Sequence, residues 1–282
     1  MTDSEQLREW IGRREDAEDV VTAAPIARLA ATLDLDAPPA HWCPDELPPL
    51  AHWLFFLPTA PQHEIGSDGH ARRGGFLPPV SLPRRMWAGG AVDFLAPIRI
   101  GDAVRRTSTI TDVTEKTGRS GDLVFVKVLH EVFRESTLAV REEQDLVYRD
   151  ASTGDASPSR TDSDGPAAAM WQRTVHPDAV LLFRYSALTF NGHRVHYDRE
   201  YCREAEGYPG LVVHAPLTAT LLMDVFLRNN PAARPARLVY RARRPLFDTA
   251  PFTVNGSGDD ARASLWAANE AGDVAMTAEL TA

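Results

Sequence analysis

The chain has 282 residues, 44% of them hydrophobic and 24% charged, and its net charge is −9. This composition supports a buried core without disulfides or metals, and the negative charge argues against general binding to nucleic acid or anionic lipid. Cys43 and Cys202 are the only cysteines, too few for a disulfide framework, so a reducing cytoplasm is the expected location. The sequence shows neither a secretory signal nor a run of roughly 20 apolar residues, so no membrane partner is expected.

The sequence of the first half predicts one or two helices, then a long loop, then strands. Apolar residues at helical spacing between 16 and 35 predict one or two helices, one of which begins near Ala24 with Pro25 in its first turn. Residues 41–83 are rich in Pro and Gly, which favours a long loop, and such loops are often functional. Three runs rich in β-branched residues predict an antiparallel meander. These runs are 102–114, 123–134 and 138–148.

The second half repeats that order after a break. Residues 151–168 contain no large apolar residue and have the composition of a linker, which predicts domains at 1–150 and 169–282. An amphipathic helix is predicted over 212–228, and short strands follow it. These strands are predicted at 236–247, 251–257, 261–269 and 274–280. A helix followed by antiparallel strands in both halves predicts an α+β fold in which two antiparallel sheets each wrap a central helix.

Polar residues are concentrated among apolar ones between Phe183 and Leu217, and polar groups beside a core need a partner or a task. His196 is the strongest catalytic candidate because imidazole exchanges protons near neutral pH. A buried histidine with a purely structural role is the alternative. His193 and His196 are three residues apart but lack a matching Cys or carboxylate cluster, so no metal site is predicted.

The sequence ALTFNGHRVHYD resembles the hydratase 2 motif of MaoC-like enzymes. In this resemblance Thr189, Asn191, His193 and Arg194 take the places of the family's Ser, Asp, Asn and Pro, and His196 takes the place of its catalytic histidine. The family's Asp and His hold the water that crosses the double bond, and here the first of them is an amide. The sequences EGYPGLVVHAPL and MWAGGAVDFLAPIRIGD are similar to the type 2 hydroxyacyl-thioester dehydratases, a branch that includes mesaconyl-C4-CoA and itaconyl-CoA hydratases.

The resemblance implies a double hot-dog fold in which the second half is catalytic and the first is a degenerate hot-dog domain that widens the acyl pocket. Gly89 and Gly90 of the first half are then expected to allow close backbone packing or a bulge. It also implies a hydro-lyase that acts on a short acyl-CoA or acyl-ACP, favouring a branched dicarboxylic monothioester. No cofactor beyond the coenzyme A of the substrate is expected, and both a monomer and a homodimer are compatible with two halves in one chain.

Three other functions remain open from the sequence. A fatty-type hydroxyacyl-ACP or hydroxyacyl-CoA dehydratase would share the chemistry. A hot-dog thioesterase would need a carboxylate or similar group to direct water at the thioester carbonyl, which Asn191 and His196 fit less well. The lost Asp of the motif also allows a non-catalytic acyl-thioester binder.

The chemistry of an enoyl thioester explains the residue types. Addition of water needs a proton shuttle at the β-carbon and hydrogen-bond donors at the carbonyl. His196 is the only obvious base of the motif, whereas Asn191 can orient water or the imidazole. A helix start near His214 offers free backbone N–H groups, and His214 either contacts the substrate or caps that helix. Candidates for binding the substrate or its oxyanion are Thr189, His193, Gly210, His214 and Ala215.

Charged residues near the motif have several interpretations. Asp198 is a partner for a histidine, a water-positioning carboxylate that replaces the one lost at Asn191, or an exposed turn residue. Arginines hold the phosphates of coenzyme A or a substrate carboxylate by bidentate contacts, and solvated surface positions are the alternative. The arginine candidates are Arg184, Arg194, Arg241, Arg243 and Arg244.

Overall fold

The computed structural model describes residues 4–35, 39–118, 121–150 and 168–282. These residues form five α-helices and ten β-strands. The helices are α1 Ser4–Arg8, α2 Ala23–Thr32, α3 Ala179–Leu188, α4 Arg199–Glu204 and α5 Ala215–Asn229. The strands are β1 Arg14–Val20, β2 Arg84–Phe94, β3 Ala103–Gly118, β4 Gly121–Arg134, β5 Thr137–Arg149, β6 Trp171–Val175, β7 Arg237–Ala242, β8 Phe252–Gly258, β9 Arg262–Asn269 and β10 Val274–Thr281.

All the strands named above belong to one antiparallel sheet of order β1-β3-β4-β5-β2-β7-β10-β9-β8-β6, which agrees with the predicted α+β class. The two sheets expected from the duplicated pattern therefore meet edge to edge. Strand β2 pairs with β5 on one side and with β7 of the second half on the other. The predicted domains 1–150 and 169–282 share this sheet, and nearly all of the predicted linker lies outside the described residues.

Two glycines allow the close approach of strands at this seam. A Cβ on Gly89 would lie 2.6 Å from the carbonyl oxygen of Tyr240, and a Cβ on Gly90 would overlap the carbonyl oxygen of Glu143. The register between β2 and β5 also shifts just before Gly89. Both expected uses of these glycines, close packing and a bulge, are thus present.

Helix α5 is the buried helix of the second half. Every residue from Leu217 to Leu227 is buried, and the helix contacts β6, β8, β9 and β10. The predicted amphipathic pattern over 212–228 is wrong in this respect, because the helix is covered on all sides. It begins three residues later than predicted, since His214 has extended backbone and serves as its N-cap.

Asp224 is a charged residue in the middle of α5, and it has three partners. His41 lies 2.8 Å from its carboxylate, Arg173 of β6 lies 3.0 Å away, and Arg228 one turn later in α5 lies 2.8 Å away. Since a buried carboxylate is stable only when it is paired, these contacts explain how the core tolerates it. They also fasten α5 to the first half of the chain.

The amino-terminal region contains one element that was predicted wrongly. Residues from 16 were expected to be helical, but Arg14–Val20 form strand β1 at the edge of the sheet, paired with β3. Helix α2 begins at Ala23, close to the predicted start. The predicted loop over 41–83 is confirmed as largely irregular, with short 3-10 turns at Ala51–Leu54 and Gln62–Glu64. None of the helices described above is long and apolar enough to cross a bilayer.

Candidate active site

A cavity of about 2300 Å³ is lined by residues of both halves of the chain. The second half contributes Asn191 and His196, and the first half contributes His70, Arg85 and Glu142. The cavity is therefore built across the two halves, and neither half encloses it alone.

His196 occupies a short 3-10 turn, Arg194–His196, that follows α3. Its Nδ1 lies 2.7 Å from the carbonyl oxygen of Val212, so Nδ1 carries the proton and donates it. Among the described residues nothing forms a hydrogen bond with its Nε2. The side chain is 8% exposed and lines the cavity. This arrangement fixes the tautomer in which Nε2 accepts a proton.

His214 stacks on His196, with ring centroids 3.6 Å apart and an angle of 19° between the planes. Its Nε2 lies 2.9 Å from the hydroxyl of Ser186. Burial lowers the pKa of His196 to about 4 and lowers the pKa of His214 well below its usual value, where the charge of His196 adds to the effect. Both rings are thus neutral at pH 7, as a general base must be before it acts.

The start of α5 lies at the cavity wall, where a backbone donor was predicted. Ala215 and Pro216 line the cavity. Pro216 has no N–H, and within the described chain the amide of Ala215 has no hydrogen-bond partner. An unpaired amide at a helix amino terminus favours negative charge nearby. The arrangement can stabilise an oxyanion that forms next to Ala215.

Thr189, Asn191 and His193 also line the cavity. Asn191 Oδ1 accepts a hydrogen bond of 3.0 Å from the backbone N–H of His193, and Thr189 donates one of 2.9 Å to the carbonyl of Tyr185. The rings of His193 and His196 are perpendicular, with centroids 5.4 Å apart. Asn191 therefore shapes the turn that carries both histidines.

The first half adds two site residues that the sequence analysis missed. His70 lies in the long loop, and its ring centroid is 4.2 Å from that of His193. Asp68 accepts hydrogen bonds from the backbone N–H of His70, at 3.0 Å, and from its Nδ1, at 3.1 Å. Both halves of the chain thus contribute histidines to the site. A hint in the sequence was the density of charged residues and histidines in the Gly-containing stretch HEIGSDGHARRGG.

Asp198 and Arg194 bond to each other, and of the three interpretations of Asp198 the turn residue is the nearest to its position at the start of α4. Asp198 accepts hydrogen bonds from the guanidinium of Arg194 at 3.0 and 2.7 Å, and it caps α4 by accepting from the N–H of Tyr201. The described residues near Asp198 include no histidine bonded to it. Arg194 also donates to the carbonyl of Ser67. This pair lies outside the cavity wall, and the carboxylate bonded to a histidine next to His193 is Asp68.

The other arginines predicted to bind an anion differ in whether they line the cavity. Arg243 and Arg244 line the cavity, and Arg244 lies 2.8 Å from Asp273. Arg184 and Arg241 are exposed and lie outside the cavity wall. With Arg194, three of the five candidates therefore lie outside the cavity wall, and Arg243 and Arg244 line it.

Gly210 does not line the cavity and serves packing instead. A Cβ there would lie 2.5 Å from a carboxylate oxygen of Asp248. That oxygen accepts a 2.8 Å hydrogen bond from the N–H of Leu211 and also contacts Arg199. The expected substrate-binding role of Gly210 is not visible in this arrangement.

A second polar cluster lies in the cavity wall of the first half. Glu142 is 3% exposed and accepts hydrogen bonds from His52, at 3.0 Å, and from the indole of Trp53, at 3.0 and 3.1 Å. Burial alone would raise the pKa of Glu142, but the hydrogen bond from His52 and the nearby imidazoles hold it below its usual value. This cluster could not be predicted from local spacing, because His52 and Trp53 are about 90 residues from Glu142 in the chain.

Three side chains meet the spacing of a metal site. Donor atoms of Asp68, His70 and His193 lie within 4.8 Å of one another in this part of the described structure. The absence of a metal remains a prediction from the sequence.

Comparison with known proteins identifies the family. Residues 50–248 match the family described as hydroxyacyl-thioester dehydratase type 2. Mesaconyl-C(4)-CoA hydratase of Chloroflexus aurantiacus is 46% identical over 272 residues, which cover 95% of each chain. The mitochondrial hydroxyacyl-thioester dehydratase type 2 of Schizosaccharomyces pombe is 27% identical over 266 residues, covering 84% of this chain and 88% of that protein.

Solved structures show the same fold. HtdX of Mycobacterium tuberculosis has a TM-score of 0.67 at 17% identity and covers 95% of this chain and 99% of its own. A second protein of that organism, described as having a double hotdog fold, has a TM-score of 0.55 at 12% identity over 96% of this chain and 95% of its own. The double hot-dog fold is thereby confirmed. The predicted hydro-lyase class is confirmed as well, and the chain belongs to the hydroxyacyl-thioester dehydratase type 2 family of MaoC-like enzymes.

Proposed function

We propose that the protein hydrates mesaconyl-C4-CoA, or a closely similar branched enoyl-CoA with a free carboxylate, with His196 as the base. The observation that carries the proposal is the bond from His196 Nδ1 to the carbonyl of Val212, which leaves Nε2 as a proton acceptor in the cavity. The relative that is 46% identical over nearly the whole chain carries the name of this activity, which supports the choice of substrate.

His196 acts as both base and acid in the proposed reaction. Its Nε2 takes a proton from water while the water oxygen bonds to the β-carbon. The electron pair of the double bond shifts toward the thioester and places negative charge on the carbonyl oxygen, which the amide of Ala215 stabilises. Nε2 then returns the proton to the α-carbon. Atoms and charge balance, and the reverse sequence is a dehydration.

Asn191 has a supporting part in this scheme. Its Oδ1 is used by the N–H of His193, so its NH₂ group is left to donate to the oxygen of the water. An amide cannot take a proton. A single base, His196, therefore carries the proton in both steps.

Coenzyme A is the proposed carrier and the sole cofactor-like group. Arg243 and Arg244 in the cavity wall are suited to its phosphates. Both walls of the cavity come from one chain, so we take a single chain as the catalytic unit. The free thiols of Cys43 and Cys202 suit a reducing cytoplasm.

The test compares two reactions of one substrate. Wild-type protein should remove the enoyl absorbance of mesaconyl-C4-CoA without releasing free thiol. His196→Ala should lower kcat/KM by roughly 10²–10⁴-fold, the usual contribution of a general base. His63→Ala, at a side chain that is 82% exposed, is the matched control. Thiol release by the wild type would point to a thioesterase, and unchanged turnover by His196→Ala would remove His196 from its role.

A further inference from the structure

Arg85 is a cavity arginine without a carboxylate partner. It lies on β2, is partly buried and lines the cavity. Within the described chain no Asp or Glu forms an ion pair with it. The neighbouring Arg84 differs, because its guanidinium lies 2.8 Å from Glu206. A partly buried guanidinium with no counterion attracts an anion from outside the protein.

Two imidazoles share the same stretch of cavity wall. The rings of His70 and His193 are 4.2 Å apart. Burial lowers the pKa of both, to about 2 for His193, and the charge of Arg85 acts in the same direction on each. Both rings are thus neutral at pH 7. The one N–H of neutral His70 is on Nδ1 and is donated to Asp68, so His193 is the ring that can donate an N–H to an oxygen of a ligand.

The charge of this region favours an anion over a metal ion. Asp68 is the acidic group here, and its carboxylate is already bonded to the backbone N–H and Nδ1 of His70. Arg73 and Arg85 both face the imidazole of His70 closely enough to lower its pKa. One carboxylate against two guanidiniums leaves the region positive. A divalent cation on Asp68, His70 and His193 would meet that repulsion.

The distance between His193 and His196 fits a ligand with a carboxylate on the carbon that receives water. In a monothioester whose free carboxylate is attached to the β-carbon, the carboxylate is one bond from the carbon that receives water. The ring of His193 is 5.4 Å from that of His196, so a group beside His193 is adjacent to the reacting carbon. Arg106, also in the cavity wall, is less suited because Glu15 lies 4.0 Å away and Glu142 also acts on its charge.

We propose that Arg85, with the ring N–H of His193, binds the free carboxylate of the acyl group and selects a dicarboxylic monothioester over a monocarboxylic one. Asp68 is a positioning residue that holds the ring of His70. The assignment rests on the proposed hydratase function and adds to it the residues that recognise the substrate.

The experiment compares a charged substrate with an uncharged analogue of the same shape. The analogue 3-methylcrotonyl-CoA has a methyl group where mesaconyl-C4-CoA has its carboxylate. Arg85→Gln should lower kcat/KM for mesaconyl-C4-CoA on the order of 100-fold, as expected for loss of a charged hydrogen bond. The inhibition constant of 3-methylcrotonyl-CoA should change by less than about threefold, since it makes no use of the guanidinium.

Matched variants keep the comparison interpretable. Arg184→Gln, at an exposed arginine outside the cavity wall, should change neither quantity. Arg85→Lys retains the charge but not the bidentate geometry, so it should show a smaller loss for mesaconyl-C4-CoA alone. It also supplies the comparison if Arg85→Gln does not fold.

The outcomes separate this assignment from the proposed function. Wild-type protein that fails to hydrate mesaconyl-C4-CoA would overturn the proposed function itself. Wild-type protein that hydrates it, with Arg85→Gln unchanged or equally impaired toward both compounds, would overturn only the role of Arg85. Stoichiometric Zn²⁺ in the purified protein, with activity lost on chelation and regained with Zn²⁺, would replace the carboxylate site with a metal site.

Discussion

The basicity of His196 is set by its surroundings. A histidine in water is half protonated near pH 6.5, but burial lowers the pKa of this one to about 4 despite the hydrogen bond to Val212 that opposes the shift. The stacked ring of His214 covers one of its faces. His196 is therefore a weaker base than free imidazole but is almost fully in its reactive form at neutral pH.

The pH dependence of hydration should reflect this shift. The neutral ring is the active form, so the rate should be flat from about pH 8 down to about pH 5 and fall as pH approaches 4. The measurement is kcat/KM across this range with mesaconyl-C4-CoA at constant ionic strength. A rate that halves near pH 6.5 would contradict the burial argument.

Part of the site could be predicted from the sequence because its members are close in the chain. Thr189, Asn191, His193 and His196 lie within eight residues, and all four line the cavity. Asp68, His70 and Arg85 come from more than 100 residues away and are brought there by tertiary contacts. The spacing of residues along the chain does not predict such contacts, because they depend on how β2 and the long loop pack.

At the scale of elements, the long loop and the catalytic turn fit together through two glycines. Gly69 has a φ of +89°, and a Cβ on it would overlap the carbonyl of Gly192. The carbonyl of Asp68 accepts a 2.9 Å hydrogen bond from the N–H of Arg194 in the same contact. The position of His70 therefore depends on a backbone-to-backbone fit.

Substitution of Gly69 by Ala should disturb this fit. We expect Gly69→Ala to lower kcat/KM about 10-fold or more, because the loop must move away from the turn that carries His193 and His196. Gly74→Ala is the matched control: Gly74 has a φ of +92° in the same loop, but its added Cβ would meet only Pro79 at 3.7 Å. Both variants should lose about 1 kcal/mol of stability from the positive φ. Equal activity of the two would show that the contact with Gly192 is unimportant.

The sequence predicts the type of secondary structure correctly where several local signals agree. The meander β3 to β5 and the strands β7 to β10 match the predicted runs, because β-branched residues and turn signals coincide there. The sequence of strand β1, REDAEDV, does not predict a strand, because it is charged and lacks β-branched residues apart from its last. Pairing with β3 decides its conformation, which is a tertiary effect.

The two halves of the chain share one sheet and one main hydrophobic core. The main core contains Val92 and Val132 of the first half together with Leu182, Leu217 and Phe226 of the second. The seam between β2 and β7 joins their sheets. Sequence composition suggested a break at the linker, yet it could not reveal that the halves pack against each other.

A separated second half should not fold by itself. Residues 168–282 alone would expose the edge of β7 and the core face that Val92 covers, so no cooperative thermal transition is expected from this fragment. Co-expression with residues 1–150 should restore a single transition in calorimetry. A cooperative transition of the isolated fragment would show instead that the two halves are independent domains.

The free energy of unfolding should begin to fall at pH values well above the pKa of the protein's carboxyl groups. Burial lowers the pKa of five histidines, which are neutral when folded but take up protons near pH 6.5 when unfolded. They are His70, His130, His193, His196 and His214. Stability is therefore complete above pH 6.5 and falls as pH drops toward 4, by up to about 1.4 kcal/mol per pH unit for each group.

Urea unfolding at pH 7 and pH 5 measures this dependence. His130→Gln should reduce the difference in unfolding free energy between the two pH values by about the contribution of one histidine. The substitution removes one such group, and His130 lies outside the catalytic turn. Equal free energies of unfolding at the two pH values would mean that these histidines are already protonated in the folded protein.

The position of β1 has a consequence for how copies of this protein meet in a concentrated solution. It ends the sheet on one side, and the five-residue β6 ends it on the other. An open strand edge invites pairing with another molecule. Four of the seven residues of β1 are acidic, so two such edges repel each other. The charge pattern that concealed this strand in the sequence thus protects the sheet from growing into aggregates.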